Sequence, residues 1–232
     1  MKKLLHFFQN LLSFFYPRIC PTCKNAMQWH EKLICLSCEF HLPETEYHQQ
    51  TNNPLHQIFL GRVKIEGVAS LFFYRKGGGV QQLLYALKYK GKKEIGIHFG
   101  EYYGKLLKES EQFSEINVII PVPLHPKKLR KRGYNQSEAI AEGLSRGMEI
   151  PYLAQAVVRQ RFTETQTKKS RINRWENVKD VFEVINPAAL ENRNILICDD
   201  VLTSGATIEA VAQKIISVKG TKIWVVTLAS AI

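Results

Sequence analysis

Two adjacent carboxylates that follow an apolar run are the residues of this chain best suited to chemistry. The apolar run covers residues 195–198, and Asp199 and Asp200 come directly after it. A turn of small and hydroxyl residues follows at 203–207, and apolar side chains then recur at helical spacing from 208 to 216. This order predicts a buried strand, an acidic pair, a loop and the first turn of a helix.

The loop has the properties of a phosphate-binding site. The first turn of a helix offers unpaired N–H groups and a partial positive charge, and Gly205 lets the backbone approach a ligand closely. Two neighbouring carboxylates would repel a phosphate unless they face hydroxyl groups or a divalent cation. A sugar phosphate meets both requirements, because it carries a diol at one end and a phosphate at the other. The residues expected to surround the phosphate are Thr203, Ser204, Gly205, Ala206 and Thr207.

The thirteen residues 195–207 resemble the phosphoribosyl-pyrophosphate (PRPP) motif of type I phosphoribosyltransferases. In that family the acidic pair holds the ribose 2′ and 3′ hydroxyls, and the loop holds the 5′-phosphate. The resemblance implies that Asp199 and Asp200 are the catalytic carboxylates and bind the ribose diol directly or with Mg²⁺. An ordinary core strand with a polar turn is the alternative interpretation.

Two further segments carry the positive charge that a polyphosphate requires. The segment 121–136 follows a predicted strand as a basic loop and opens a helix, so its basic residues can hold a pyrophosphate leaving group. The segment 158–182 is long, polar and rich in arginine, which is typical of a mobile lid. A solvated loop and a disordered loop are the respective alternatives. The expected pyrophosphate contacts are Lys127, Lys128, Arg130, Lys131, Arg132 and Arg161.

Four cysteines near the amino end form two CxxC pairs that are separated by eleven residues. Each CxxC turn can direct two thiolates at one ion, and two turns complete the tetrahedral shell of a structural zinc ion. Disulfides and an iron–sulfur cluster are the alternatives. The lack of a cleavable signal pattern, together with a fifth cysteine in the predicted core, favours a reducing compartment and zinc. The expected zinc ligands are Cys20, Cys23, Cys35 and Cys38.

Strand and helix patterns alternate through the rest of the chain. The strand patterns lie at 65–74, 118–122, 152–158, 181–185, 195–198 and 223–228. The helical patterns lie at 80–87, 95–107, 136–144 and 208–216. This alternation predicts an α/β fold with a mostly parallel sheet, helices on both faces and ligands at the carboxyl ends of the strands. We expect a zinc-ribbon-like module over 1–45, a polar linker around 39–53 and the α/β domain over 55–232.

The charge of the chain is strongly positive and unevenly distributed. The net charge is +11 over 232 residues, of which 45% are apolar, as expected of a folded protein. Between residues 125 and 174, the sequence contains twelve Lys or Arg residues and only four Glu residues. Such a field favours a polyanionic ligand or nucleic acid as a partner.

The first fifteen residues carry an amphipathic pattern of leucine and phenylalanine. The pattern is too short to span a bilayer and too often interrupted for a signal peptide, and no other stretch predicts a transmembrane segment. We expect it to pack against the cysteine module or a partner, with peripheral membrane contact as the alternative.

Taken together, the motifs resemble those of the ComF family of competence-associated proteins. The resemblance covers the amino-terminal helix pattern, both CxxC pairs, Leu-Lys-Tyr-Lys-Gly at 87–91, Pro-Val-Pro…Arg-Gly-Tyr-Asn-Gln at 121–136, the arginine-rich lid and the PRPP motif. It implies a zinc-ribbon-like module on a type I phosphoribosyltransferase domain. It also implies a cytoplasmic protein that acts in DNA uptake during natural transformation, with single-stranded DNA and other DNA-uptake proteins as partners, or in nucleotide-linked metabolism.

Two functional hypotheses follow from this resemblance. In the first, the chain is a phosphoribosyltransferase that binds PRPP with Mg²⁺ and transfers the phosphoribosyl group to an acceptor, releasing pyrophosphate. In the second, it is a non-catalytic, PRPP-gated adaptor whose basic surface binds single-stranded DNA, with stacking on Tyr134, Phe162 and Trp175.

Overall fold

A four-stranded parallel sheet forms the centre of the computed structural model, which describes residues 17–159 and 181–231. The strands follow the order β1 (Gly67–Phe73), β6 (Lys222–Ser230), β5 (Asn194–Leu202) and β2 (Val118–Pro121). The central strands β5 and β6 are almost entirely buried, because helices cover both faces of the sheet. This arrangement confirms the predicted α/β fold.

Six α-helices lie in the described part of the chain: α1 (Leu36–Phe40), α2 (Gly79–Tyr89), α3 (Lys93–Glu109), α4 (Pro126–Arg132), α5 (Gln136–Met148) and α6 (Ala206–Ile216). The apolar residues of α2, α3 and α5 share one core with one face of the sheet. Those of α6 share a second core with the opposite face. None of the helices in residues 17–159 and 181–231 combines the length and apolar character needed to cross a membrane.

Helices α3 and α5 approach each other at glycine residues. A Cβ atom added to Gly143 would lie 2.2 Å from the carbonyl oxygen of Ile97, and one added to Gly100 would lie 2.5 Å from that of Ile140. Since nothing larger than hydrogen fits, the two backbones are in direct contact. This contact fixes α5, whose first turn reaches the carboxyl edge of the sheet.

The strands predicted at 152–158 and 181–185 do not join the parallel sheet. The chain makes a single parallel bridge to β2 at Tyr152 and then leaves it. The remainder forms a separate antiparallel pair, β3 (Val157–Arg159) and β4 (Phe182–Val184). These two strands flank residues 160–180 along the chain.

The residues predicted as a linker contact the edge of the sheet. Glu44 forms an antiparallel bridge with Phe72, and the Thr45 N–H donates to the Leu71 carbonyl at 3.0 Å. The segment therefore connects the cysteine module directly to β1. The domain limits of 1–45 and 55–232 stay a prediction, and the amphipathic pattern of the first fifteen residues lies outside the described part.

Candidate functional site

The acidic pair lies near the carboxyl end of β5, where two other elements, α5 and α2, contribute partners. The Asp199 Oδ1 atom accepts hydrogen bonds from the Ser137 hydroxyl at 2.7 Å and from the Asp200 backbone N–H at 2.8 Å. The Asp200 Oδ1 atom lies 2.8 Å from the Lys88 Nζ atom. The Asp200 Oδ2 atom is buried and has no hydrogen-bond partner within residues 17–159 and 181–231. A buried carboxylate oxygen without a donor is unfavourable, so a hydroxyl group or a cation would complete the site.

Burial and the neighbouring Asp200 charge raise the pKa of Asp199 to about 7. The hydrogen bonds from Ser137 and from the Asp200 backbone act in the opposite direction, as does the Lys88 charge. Asp199 therefore changes its charge near neutral pH. An ionised pair accepts hydrogen bonds from a diol, whereas a protonated carboxyl group also donates.

The predicted phosphate loop lies at the start of α6, as the motif indicated. Gly205 has a left-handed backbone with a φ of 72° and precedes the first helical residue. A Cβ atom there would lie 2.7 Å from the Ile58 Cγ2 atom, so both the conformation and the packing require glycine. The other four residues of the loop are exposed, and their backbone and hydroxyl groups are accessible to an anion: Thr203, Ser204, Ala206 and Thr207.

Arg62 supports this loop from outside and was not singled out from the sequence. Its guanidinium donates to the carbonyl oxygens of Ser204 and Ile58, both at 2.9 Å, and forms an ion pair with Glu209 on α6. The residue lies 142 positions from Ser204 along the chain. No local pattern indicates such a contact, because it depends on how the segment around Ile58 packs on Gly205.

The basic segment is a short helix rather than the loop that was predicted. Pro126 and the His125 cap start α4, with the His125 Nδ1 atom accepting from the Lys127 N–H at 3.1 Å. Gly133, with a φ of 84°, ends it. The exposed cationic side chains of this helix are Lys127, Lys128, Arg130 and Lys131.

Hydrogen bonds at both ends hold this basic segment beside the acidic pair. The Val122 N–H donates to the Cys198 carbonyl at 3.0 Å, and the Asn135 side chain donates to the Val122 carbonyl at 3.0 Å. Ser137, two residues further on, binds Asp199. The segment thus leaves the sheet next to β5 and returns to it at the acidic pair.

The end of α2 is the third element at the site. It carries Lys88, and the Tyr134 hydroxyl donates to the Leu87 carbonyl. The Arg132 guanidinium lies 5.5 Å from the centre of the Tyr89 ring and also bonds the Gln136 side chain. Lys88 belongs to the Leu-Lys-Tyr-Lys-Gly stretch at 87–91, so the resemblance contained a signal for this residue although no role was assigned. Arg161, Phe162 and Trp175 lie outside the described residues.

The four amino-terminal cysteines come together as predicted. The Sγ atoms of Cys20, Cys23, Cys35 and Cys38 all lie within 4.8 Å of one another. The separation between the Cys23 and Cys35 Sγ atoms is 3.7 Å, which matches the edge of roughly 3.8 Å expected for a tetrahedron with metal–sulfur bonds of about 2.3 Å. The four cysteines are therefore positioned to bind one metal ion.

All five cysteines of the chain are in the described part, and none of them forms a disulfide there. Burial raises the pKa of Cys20, but backbone N–H groups, including those of Cys23 and Cys35, lower it, and the net pKa is about 6. A thiolate is the form that binds metal. Cys198 is buried inside the sheet, as expected.

Comparison with known proteins relates this site to a known class of domain. A family model described as a phosphoribosyl transferase domain matches residues 135–232. Among solved structures, a glutamine PRPP amidotransferase from B. subtilis aligns with a TM-score of 0.43 and 17% identity, over 61% of this chain and 30% of that chain. The family model and the parallel sheet indicate a phosphoribosyltransferase-like fold.

Three relatives extend the comparison to the rest of the chain. Competence protein F from Haemophilus influenzae is 32% identical over 50% of this chain and 52% of its own length. DNA utilization protein YhgH from Shigella flexneri is 27% identical over 84% of this chain and 82% of its own length. Competence protein ComFC from Bacillus subtilis is 28% identical over 84% of this chain and 70% of its own length. The match thus spans about half of the first relative.

The parallel sheet, its two helical faces and the family-model match define the carboxyl-terminal part as a phosphoribosyltransferase-like α/β domain. The relatives named for competence and DNA utilization, together with the phosphoribosyl transferase domain match, support the resemblance to the ComF family that the motifs indicated.

Proposed function

We propose that this protein binds PRPP at the carboxyl edge of the sheet. The observation that carries the proposal is the convergence of three elements there: the acidic pair on β5, the start of α6 and the basic helix α4 that follows β2. The Ser137–Asp199 hydrogen bond of 2.7 Å and the Val122–Cys198 hydrogen bond of 3.0 Å join β5 to the two ends of the segment that carries α4, and α6 follows β5 along the chain. An acidic patch for a diol, a loop for a phosphate and a cationic helix for a diphosphate match the three parts of PRPP.

Each part of the site has a role in this proposal. The carboxylates of Asp199 and Asp200 accept hydrogen bonds from the ribose hydroxyls, and residues 203–207 bind the 5′-phosphate. Lys127, Lys128, Arg130 and Arg132 attract the pyrophosphate, with Arg161 as a further expected contact. Mg²⁺ prefers oxygen ligands such as those of a diphosphate, and when bound it would neutralise negative charge on the leaving group.

Phosphoribosyl transfer is the reaction that such a site supports. The bond between C1′ and the pyrophosphate oxygen breaks, and both electrons leave with the pyrophosphate. The acceptor nucleophile forms the new bond to C1′. The protein contributes positioning and cationic stabilisation of the leaving group. A screen of candidate acceptors that measures release of pyrophosphate would identify the chemical class of the acceptor.

The basic helix provides a test of the binding proposal. We expect Lys128→Gln/Arg130→Gln to weaken PRPP binding at least roughly tenfold, because each charge-assisted contact contributes about 1.5–3 kcal/mol. Calorimetric titration with Mg²⁺ and PRPP measures the affinity. Arg146→Gln, on α5, is the control for a lost exposed charge, since Arg146 pairs with Glu142 instead. Equal affinities for all three proteins would contradict the assignment of α4.

Zinc is the metal that we propose for the four-cysteine cluster. A closed shell of four thiolates in a tetrahedral arrangement is typical of structural zinc, and it leaves no position for a substrate. Metal analysis of the purified protein tests this proposal. The expected result is one zinc per chain; iron with sulfide would instead indicate an iron–sulfur cluster.

A role in DNA uptake is the biological function that we propose, by analogy with the relatives named for competence and DNA utilization. Such a role implies a cytoplasmic protein that meets incoming single-stranded DNA. One structural observation favours direct binding of DNA. Tyr85 and Tyr89 on α2 are 48% and 64% exposed, and their ring centres are 5.1 Å apart. The Lys90 Nζ atom lies 5.8 Å from the centre of the Tyr85 ring.

This pair is better placed for stacking than Tyr134, which is half-buried and bonded to Leu87. Stacking of a base on an exposed aromatic ring contributes about 1–3 kcal/mol. We therefore expect Tyr89→Ala to weaken binding of a labelled oligothymidylate roughly five- to a hundredfold in fluorescence anisotropy. Tyr102→Ala is the control, because Tyr102 is exposed but bonded to Glu44. Unchanged affinity in the Tyr89 variant would contradict this second function.

A further inference from the structure

We propose that Lys88 is a built-in cation at the acidic pair, in the place where a divalent metal ion would otherwise bind. The ribose hydroxyls would then meet the carboxylates directly. This inference rests on the proposed function, because it concerns the same site. The motif allows the carboxylates to bind the ribose hydroxyls either directly or through Mg²⁺, and Lys88 favours direct binding.

The surroundings of three carboxylate oxygens of the acidic pair carry the inference. Two donors, Ser137 and the Asp200 backbone, already occupy Asp199 Oδ1. Lys88 lies 2.8 Å from Asp200 Oδ1, and its side chain is 25% exposed while that of Asp200 is 7% exposed. The buried Asp200 Oδ2 atom has no partner in the part of the chain that the structure describes. One cation is thus in place, and one buried acceptor remains for a ligand donor.

A metal ion on the same carboxylate would lie close to this ammonium group. Since Mg–O bonds are about 2.1 Å long, an ion bound to Asp200 Oδ1 would lie at most about 5 Å from the Lys88 Nζ atom. The two positive charges would repel each other in a largely buried site, where screening by water is weak. A hydroxyl group has no such conflict, because it donates a hydrogen bond without adding charge.

Two contacts hold the residues on either side of Lys88. The Tyr134 hydroxyl donates to the carbonyl of the preceding residue, Leu87, and the Arg132 guanidinium lies 5.5 Å from the ring centre of the following residue, Tyr89. Both partners belong to the segment that carries the basic helix. The lysine is therefore fixed by the same segment that we assign to the pyrophosphate, and Mg²⁺ would enter the site with the diphosphate of PRPP rather than on the acidic pair.

The test uses Mn²⁺ alone, as a paramagnetic substitute for Mg²⁺, with the zinc-loaded full chain and without PRPP. Electron paramagnetic resonance counts bound Mn²⁺. We expect wild type and Lys88→Arg to bind no Mn²⁺ at the acidic pair. Lys88→Met should gain one Mn²⁺ site, with an affinity at least tenfold higher than that of any residual binding by wild type. The double variant Lys88→Met/Asp200→Asn should lose this site again. Lys105→Met, which removes a lysine paired with Glu101 on α3, should behave as wild type.

Two results would overturn the inference. The first is a Mn²⁺ site in wild type that Asp200→Asn removes. This result can be obtained even if the Lys88 variants do not fold. The second is a folded Lys88→Met protein, judged by its melting transition, that gains no Mn²⁺. Because PRPP is absent, these outcomes are independent of the proposed function. The protein can fail to bind PRPP and still show the expected Mn²⁺ binding, or it can bind PRPP and show a different Mn²⁺ pattern.

Discussion

At the residue scale, the acidic pair shows how one strand depends on partners from elsewhere. Asp199 is bonded by α5 through Ser137, and Asp200 is bonded by α2 through Lys88. The two carboxylates are neighbours in a largely buried site, which is unfavourable unless other groups balance them. This balance makes the charge of the site sensitive to pH.

Asp199→Asn should change how stability depends on pH. The pKa of Asp199 is about 7 in the folded protein, whereas an unfolded aspartate has a pKa of about 3.9. Between these values the folded state keeps a proton that the unfolded state has lost, so wild-type stability falls as pH rises and the penalty is complete above pH 7. Asparagine avoids this penalty, and its carbonyl oxygen can still accept from Ser137.

Melting temperatures at pH 6 and pH 8, measured without added divalent cation, test this prediction. The difference between Asp199→Asn and wild type should increase towards pH 8. Glu142→Gln, a carboxylate of α5 paired with Arg146, is the control and should show no such trend. A constant difference for Asp199→Asn would mean that Asp199 is ionised throughout this range.

At the scale of elements, the contact between α3 and α5 sets the position of Ser137. The helices meet at Gly100 and Gly143, where the backbone of each occupies the space of a side chain on the other. Hydrophobic periodicity predicted both helices, but it carries no information about which of them are neighbours. The glycine spacing on both helices was the available signal for their contact.

The Gly143→Ala substitution distinguishes the effect of helix packing on stability from the effect of helix propensity. Propensity alone predicts stabilisation of up to about 1 kcal/mol, because alanine is the better helix former. Packing predicts the opposite sign, since the new Cβ atom would lie 2.2 Å from the Ile97 carbonyl and 2.7 Å from the Glu101 nitrogen. We expect a loss of about 1–3 kcal/mol, measured by urea denaturation. Arg146→Ala, at an exposed position of α5, is the control; an equal or higher stability for Gly143→Ala would show that the helices can separate at little cost.

The other differences from expectation also belong to this scale. Alternation of strand and helix patterns predicted every strand of the central sheet. It failed at 152–158 and 181–185, because the length and composition of a short apolar run do not say which sheet it joins. The basic stretch was expected as a loop, yet Pro126 and the His125 cap favour a helical turn. Lys88 and Arg62 could not be assigned roles, since their partners are more than a hundred residues away.

At the scale of the whole molecule, the cysteine module and the α/β domain are joined through the sheet. Residues 43–45 hydrogen-bond to β1, and the His98 Nε2 atom on α3 lies 2.7 Å from a Glu39 carboxylate oxygen on α1. Metal binding should therefore stabilise more than the four-cysteine turns.

Cys38→Ser should lose the metal and lower the melting temperature of the whole protein. Only three thiolates would remain, and the binding free energy of a structural metal contributes directly to folding. Cys198→Ala is the matched control, because this buried cysteine lies far along the chain in the sheet and is not a ligand. Metal analysis and differential scanning calorimetry give the two readouts. Full retention of metal by Cys38→Ser would contradict the four-sulfur site.

The central claim is that PRPP binds at the acidic pair and the α6 loop. Calorimetric titration of the zinc-loaded protein with PRPP and Mg²⁺, beside Asp199→Asn/Asp200→Asn, tests it most directly. The account predicts saturable binding of one PRPP per chain in wild type and a loss of at least roughly tenfold in affinity in the double variant. No binding in wild type, or equal affinity in the two proteins, would contradict the claim.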